Sequence, residues 1–425
     1  MLIRRATLLD GRVADIRVGD VITDIASSLA PLADESVLDA QLGAVLPGLH
    51  DHHVHLHAAA AALDSVAVGP PVVRTVPEFT RAVAAAKPGA DGWIRAIGYH
   101  ESVAGELHRA RLDAVRPTAP LRVQHRSGAL WILNSAALAR IGYADHPDGR
   151  LASSDPRLAE AIPRREPDLP ALARRFAAFG VTGVTDATPD LESDDIASLT
   201  MALKQRVSCL APGKIILHDD LLDVDGLTQW IADRHGGGIR VAIHCVTAAQ
   251  LIVTIAALKA AGRDPLDRIE HAAMVPDGCV REIAELGITV VTQPNFVAER
   301  GDRYREDIPA NEHGQLWRVA SLMRAGVPVA ASTDAPFGAP DPWAAMRAAV
   351  TRATSGGHVL GPQERIAPLA ALSMFLGSAV RPAQPRRLVP GQPGDLCVLS
   401  VPLADALRAL ASDMVKATIV GGVMM

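Results

Sequence analysis

Apolar positions along this chain change their spacing twice. Over the first 45 residues short runs, LIRRATLLDG, VADIRVGD, VITDIAS and VLDAQLGAVL, are broken by Gly and Asp, the texture of short strands joined by turns. The same texture returns at the far end in RRLVPGQPGDLCVLSVPL and VKATIVGGVMM, so two distant β segments are expected to build one small domain. Between them, β-rich apolar runs alternate with alanine-rich stretches such as AAQLIVTIAALKAAG and DGCVREIAELG, which predicts β/α units around a parallel sheet. Eight runs qualify as its strands: GLHDHHVHL, LRVQHR, GVTGVTDA, GKIILHD, RVAIHCV, DRIEHAA, ITVVTQPN and VPVAASTDAP. A ninth, WIRAIGYH at 93–100, is placed in a long insertion after the first strand. Eight such units predict a (β/α)8 barrel, which carries its chemistry at the C-terminal ends of the strands.

Composition narrows the function. With 49% hydrophobic and 21% charged residues over 425 positions the chain can bury a large core, and 3% aromatics make that core aliphatic. A net charge of -5 leaves no basic surplus for phosphates, which argues against nucleic acid as a partner. The four cysteines show no C-x-x-C pair and no disulfide spacing. MLIRRATLLDGRVAD reaches acidic and turn residues before any apolar core of a secretory signal forms, and no stretch is apolar for long enough to span a bilayer. The expected location is the cytoplasm, with no membrane role. The expected partners are a small-molecule substrate and, in a homo-oligomer, further copies of the chain.

The chemistry concentrates in LPGLHDHHVHLHAAA (46–60), which holds five of the fifteen histidines, His50, His52, His53, His55 and His57. In a strand, residues two apart share a face and stand about 6.6 Å apart. His53 and His55 therefore point one way with Asp51, His50 and His52 the other, and His57 lies past the strand's end. Lys214, His244, His271 and Asp334 fall at the fourth, fifth, sixth and eighth strand ends. Imidazoles with a carboxylate are common zinc ligands, and an incomplete shell leaves room for an activated water. A lone strand-end histidine is more often a satisfied polar group; the joint placement carries the metal reading. His125, His218 and Asn295 follow other strands and are candidate substrate contacts, although capping or support of a ligand serves them equally well. Arg126 and His100 are weaker candidates of the same kind.

PGLHDHHVHL resembles the PGxxDxHxHL signature of the amidohydrolase superfamily, and IHCV, RIEHA and STDAPFG resemble its later metal-ligand strands. PGQPGDLCVL is similar to its return to the β domain, with Gly394 in place of the usual alanine. GVTGVTDA, LNSAAL and TQPN are most similar to the amidohydrolase-3 branch, which includes N-acyl amino-acid deacylase-like hydrolases. The resemblance implies an α/β fold, a distorted TIM (β/α)8 barrel over 49–384 with an insertion at about 58–120. A small β-sandwich would be made of 1–48 and 385–425. It also implies that His53, His55 and Asp334 bind one metal, His244 and His271 a second, and that a carbamylated Lys214 bridges the two. A buried lysine has a lowered pKa, and its neutral amine can add CO2 to become an anionic ligand. The cofactor implied is one or two divalent ions, zinc foremost. The activity implied is hydrolysis of an amide or cyclic amide C–N bond, other than a peptide bond, by a metal-activated hydroxide, with Asp334 as general base and then acid.

Two departures weaken transfer of any particular substrate. The branch usually has a Gly-Asp pair three residues after the fifth-strand histidine, where this chain has Thr247 and Ala248, and the histidine of its R-D-G-H segment is replaced by Ala129. Two other activities fit the same scaffold: a mononuclear deaminase, which usually carries His-x-x-Glu where this chain has Thr247, and a lactonase or esterase. A non-catalytic barrel would be expected to have lost ligands that this chain keeps.

Overall fold

The computed structural model describes residues 1–153, 155, 158, 160 and 167–425. In chain order its strands begin with β1 (Leu2–Thr7), β2 (Val13–Val18), β3 (Ile22–Ala26), β4 (Val37–Asp39), β5 (Val45–Pro47) and β6 (Leu49–Val54). There follow β7 (Val66–Ala67), β8 (Ile94–Tyr99), β9 (Leu121–His125), β10 (Leu130–Leu133) and β11 (Arg150–Ala152). The next group is β12 (Val181–Asp186), β13 (Arg206–Cys209), β14 (Lys214–Ile216), β15 (Ala242–Cys245), β16 (Arg268–His271), β17 (Thr289–Thr292) and β18 (Val329–Ala331). The last are β19 (Leu396–Leu399), β20 (Val415–Val420) and β21 (Val423–Met424). Two units pack internally, Met1–Leu56 with Leu169–Met425, and His57–Asp168.

In the first unit, the two terminal β segments form four-stranded sheets in the orders β3-β2-β1-β4 and β21-β20-β19-β5. Ile3, Ile16 and Val18 of one sheet and Val45, Leu396, Val398 and Ile419 of the other share a single apolar cluster. Between them β6, β12 and β13 pair in parallel, and β14 through β18 form a second parallel ladder in sequence order. Both β6 and β12 are buried along their whole length, as parallel strands covered on two faces must be. Gly183 of β12 lacks a side chain because the His50 ring takes its place: a Cβ there would stand 2.4 Å from Nδ1 of that histidine. Past β18 the chain returns to β6, with Asp334 N–H donating to the His53 carbonyl at 3.0 Å and His55 N–H to the Ala335 carbonyl at 2.8 Å. Among the described residues no helix is long and apolar enough to cross a membrane.

Two strand assignments change. LRVQHR, expected in the parallel sheet, is β9, paired in parallel with β8 and antiparallel with β10 inside the unit His57–Asp168. RVSC, at β13, instead completes the set of parallel strands; four residues with none fully buried give it too weak an apolar signal to be read. The inserted unit runs over His57–Asp168 where about 58–120 was expected, because its sheet β11-β10-β9-β8-β7 extends to Ala152. Its core is built around Phe79, Val83, Ile94, Tyr99, Leu112 and Val123. Thr75 and Glu78 start its helix Val76–Ala85 with a reciprocal capping box.

Candidate metal centre

Four imidazoles stand in a row. The ring centroids of His244 and His271 are 4.5 Å apart, those of His271 and His53 4.7 Å, and those of His53 and His55 5.5 Å. Asp334 closes the row, with one carboxylate oxygen 3.7 Å from Nε2 of His53 and 3.5 Å from Nε2 of His55. Ligand atoms of a tetrahedral zinc ion lie about 3.3 Å apart, so this spacing fits one ion with little movement.

The outer nitrogens fix the tautomers. Nδ1 of His53 donates to Glu270, and Nδ1 of His271 donates at 2.8 Å to Oε1 of Gln293, whose amide donates to Ser332. Nδ1 of His55 meets the Thr188 hydroxyl at 3.2 Å. With protons held outward, the Nε2 lone pairs of His53 and His271 face inward, the arrangement that metal-ligating histidines adopt. Among the described residues, Nε2 of His271, Oδ1 of Asp334 and Nζ of Lys214 are buried with no hydrogen-bond partner. Buried polar atoms are rarely left so, and ligand atoms of His53, His55 and Asp334 lie within 4.8 Å of one another, a spacing that suits a cation.

Electrostatics agree. Burial drives His55 and His244 down to about 3 and His53 and His271 well below the usual imidazole range, with Lys214 adding to each. All four are neutral imidazoles at pH 7, the form in which histidine can bind a metal. Burial also lowers Lys214 to about 8, against the pull of Glu270 and Asp334, and raises Asp334 to about 8.

Strand geometry explains how these residues meet. Lys214 opens β14 rather than closing a strand, since Ile216 pairs with His244; its long stem nevertheless couples its charge to all four imidazoles. On β16, Glu270 is the register partner of His244 and His271 that of Cys245, so alternation alone would put Glu270 on His244's face and His271 on the other. His271 escapes that fate with a left-handed backbone, φ 69, followed by Ala272 at φ 46. Asp334 is also left-handed at φ 55, and such conformations in non-glycine residues cost energy and gather at functional sites.

Glu270, Gln293 and Thr188 escape a reading that looks only for ligands. Parity marks Glu270, two residues after Arg268, whose guanidinium binds Glu270 at 2.7 Å and the His52 carbonyl at 2.7 Å. Asp51 accepts from Thr333 N–H at 3.0 Å and from its hydroxyl at 2.5 Å, which seats the residue before Asp334. Of the other histidines in the opening cluster, His50 stacks on His52 at 4.6 Å and bonds Thr185 at 2.8 Å. His57 lies half-buried in the helix Leu56–Leu63.

The candidate substrate contacts separate. Asn295 is buried, and its amide holds the Thr333 carbonyl at 3.1 Å and Glu299 at 3.2 Å. His218 is exposed ahead of a short turn at Asp219–Leu221 and is among the charges depressing His244. His125 belongs to the other unit, where it bonds Glu101 at 3.1 Å. Thr247 caps the helix Ala248–Ala261 through Gln250 N–H at 3.2 Å.

A profile of the amidohydrolase family matches residues 36–212 and 203–425. The chain is 26% identical over 445 aligned positions to N-substituted formamide deformylase of Arthrobacter pascens, covering 83% of this chain and 81% of that one. The structure of an uncharacterized metal-dependent hydrolase from Pyrococcus horikoshii superposes with a TM-score of 0.73 at 17% identity, over 94% of this chain and 97% of that one. N-isopropylammelide isopropylaminohydrolase from Burkholderia multivorans gives 0.54 at 17% identity, over 100% and 97%. The likeness in fold extends the mixed α/β architecture to a TIM-barrel type. The profile spans nearly the whole chain, and the chain belongs to the amidohydrolase family.

Proposed function

We propose that this chain is a metal-dependent hydrolase of C–N bonds other than peptide bonds, with a small amide or cyclic amide as substrate. The observation that carries the reading is the row of four imidazoles ending at Asp334, together with His271 Nε2, Asp334 Oδ1 and Lys214 Nζ, each buried and without a hydrogen-bond partner among the described residues. His53, His55 and Asp334 would hold one divalent ion and His244 and His271 a second, with Lys214, carbamylated, between them. When bound, zinc supplies Lewis-acid activation of water and of a substrate carbonyl. Asp334, a carboxylate beside the bound ion, takes a proton from the attacking water and returns it to the leaving nitrogen. Glu270 and Gln293 keep His53 and His271 aligned.

The fold reading that goes with this function has the two parallel ladders closing into a distorted (β/α)8 barrel and the two terminal sheets facing each other as a β-sandwich. The backbone bonds from Asp334 to His53 of β6 and from His55, just past that strand, to Ala335 support the first, and the shared apolar cluster supports the second. The likeness to a deformylase makes N-acyl amines with a small acyl group the first class to assay. Thr247, used as a helix cap, argues against a deaminase that needs an acid there.

The test is a hydrolysis panel of N-formyl and N-acyl amines, N-acyl amino acids, cyclic amides, hydantoins and lactones. It is run on chelator-stripped protein and on the same protein reconstituted with zinc. Zinc-dependent release of an amine is expected. Turnover of lactones alone would replace the amidase reading with an esterase one, and protein that takes up no divalent ion would remove both.

A further inference from the structure

The helix Asn295–Asp307, which follows β17, carries a cation to the edge of the metal centre. Phe296 and Arg300 share one face of this helix, and the Arg300 guanidinium lies 3.9 Å from the centre of the Phe296 ring. Phe296 is buried and packs on Trp317, ring to ring at 5.3 Å, so the stack rests on the core. Nη2 of Arg300 donates to the Phe337 carbonyl at 2.7 Å. Phe337 belongs to the turn that begins at Asp334: its N–H donates to the Asp334 carbonyl at 2.8 Å, and its ring meets that of His55 edge-on at 5.3 Å. Through Phe337, Arg300 is tied to two of the proposed metal ligands.

The rest of the guanidinium is unclaimed. Arg300 is half-buried; among the described residues neither Nε nor Nη1 has a hydrogen-bond partner, and no carboxylate lies within ion-pair distance. Glu299, its neighbour in the chain, is turned instead to the Asn295 amide at 3.2 Å and to Ala339 N–H at 3.0 Å. Of the charges around Asp334, that of Arg300 does most to counter burial, ahead of Lys214, which puts it close to the reacting centre. A guanidinium held flat on an aromatic ring, with one N–H anchored and the others open, is preorganised for a carboxylate. We infer that the open N–H groups of Arg300 receive a carboxylate of the substrate, which makes Arg300 a specificity-determining residue of this site. The inference rests on the hydrolase reading and narrows it, from small amides in general to amides that bear an acid a few bonds from the scissile C–N bond.

The test compares two matched pairs of compounds on the zinc-reconstituted full chain. N-formylleucine is set against N-formyl-3-methylbutylamine, with the acid on the amine side, and succinamic acid against propionamide, with the acid on the acyl side. In at least one pair the acid should be hydrolysed with a kcat/KM about tenfold higher or more. Arg300→Gln should raise KM for that acid about tenfold while changing the neutral partner less than about twofold, and Arg300→Lys should return part of the loss. Loss of a merely structural clip would slow both members of a pair alike. Binding is measured separately, by calorimetry on chelator-stripped protein with the two acids as probes: at least one should bind, and Arg300→Gln, shown to be folded by circular dichroism, should bind it about tenfold more weakly. If no compound is hydrolysed while Arg300-dependent binding persists, the hydrolase reading fails and the carboxylate site stands. Equal kcat/KM within both pairs, or acid binding that Arg300→Gln leaves unchanged, would overturn the assignment.

Discussion

Glu270 on β16 accepts a hydrogen bond from Nδ1 of His53 on β6 while its other oxygen is held by Arg268 at 2.7 Å. All three side chains are buried, so a charge removed from the chain strands its partner. Glu270→Gln keeps an acceptor for His53 and loses the charge. A 10- to 100-fold fall in zinc affinity, the order seen for partners of metal-bound histidines, is expected in chelator competition, with the fold intact. Glu270→Ala leaves Arg268 uncompensated and should also cost about 3–5 kcal/mol of stability. Equal zinc affinity in wild type and Glu270→Gln would remove Glu270 from the positioning role.

Asp334 gives the metal-free protein a distinctive response to pH. Its carboxyl is raised from 3.8 to about 8 by burial, so between those values the folded state holds more protons than the unfolded one. That stability is full at low pH and is lost as pH rises towards 8. The buried imidazoles act in the opposite sense: His55 and His244, lowered from 6.5 to about 3, favour folding increasingly from pH 3 to 6.5. Above pH 6.5 their effect is complete. Asp51, raised to about 7 by burial, adds to the loss until that point, and Asp334 dominates beyond it. Thermal melts of metal-free protein should therefore decline from pH 6.5 to 8, by at most ~1.4 kcal/mol per pH unit for each carboxyl. Asp334→Asn should flatten the decline. Saturating zinc should flatten it too, since a bound cation keeps the carboxylate charged in the folded state. A flat profile in the wild type would contradict this account.

The candidate ligands are legible in the sequence because histidine is conspicuous at strand ends and period two sorts His53 and His55 from His50 and His52. Their support was not. Glu270 reads as an ordinary strand acid until the pairing of β15 with β16 places it beside His244, and that register is a tertiary fact. His271 was found by its residue type, against its own parity; the left-handed turn that brings it inward leaves no mark in hydrophobic spacing. The parallel strands were countable, but LRVQH and RVSC exchanged places because strand length and apolarity do not say which sheet a strand joins. His125 illustrates the cost: placed on a barrel strand it reads as a substrate contact, whereas on β9 its neighbours are Glu101 and Ser127.

Lys214 separates stability from function. Its Nζ is buried without a hydrogen-bond partner among the described residues, and burial of an unsatisfied amine costs about 1–3 kcal/mol. Lys214→Met fills the space with an apolar stem of similar length and should raise the melting temperature of metal-free protein. The same change removes the bridging anion proposed for two ions, so bound metal should fall and turnover should drop at least 100-fold. Lys214→Ala should recover part of that activity when a short-chain carboxylic acid is supplied, because a carboxylate can take the place of the carbamate. Wild-type protein equilibrated with 13C-bicarbonate should show a carbamate carbon resonance that Lys214→Met lacks. Full activity in either variant would rule out the bridge.

Thr333 connects the first ligand strand to the last. Its N–H and hydroxyl both bond Asp51, its carbonyl is held by Asn295, and the next residue is Asp334, whose N–H bonds the His53 carbonyl. Thr333→Val preserves shape and removes one of the donors to Asp51, at a cost of about 1–3 kcal/mol and a melting temperature lower by a few degrees. With less to offset burial, the Asp51 carboxyl should titrate above its value of about 7. Because the left-handed turn at Asp334 is fixed from both sides by these bonds, its loosening should lower kcat about tenfold or more with little change in KM. Restoring the hydroxyl with Thr333→Ser should return most of both losses. A variant that lost stability yet kept kcat would show that the Asp51–Thr333 contact serves the fold alone.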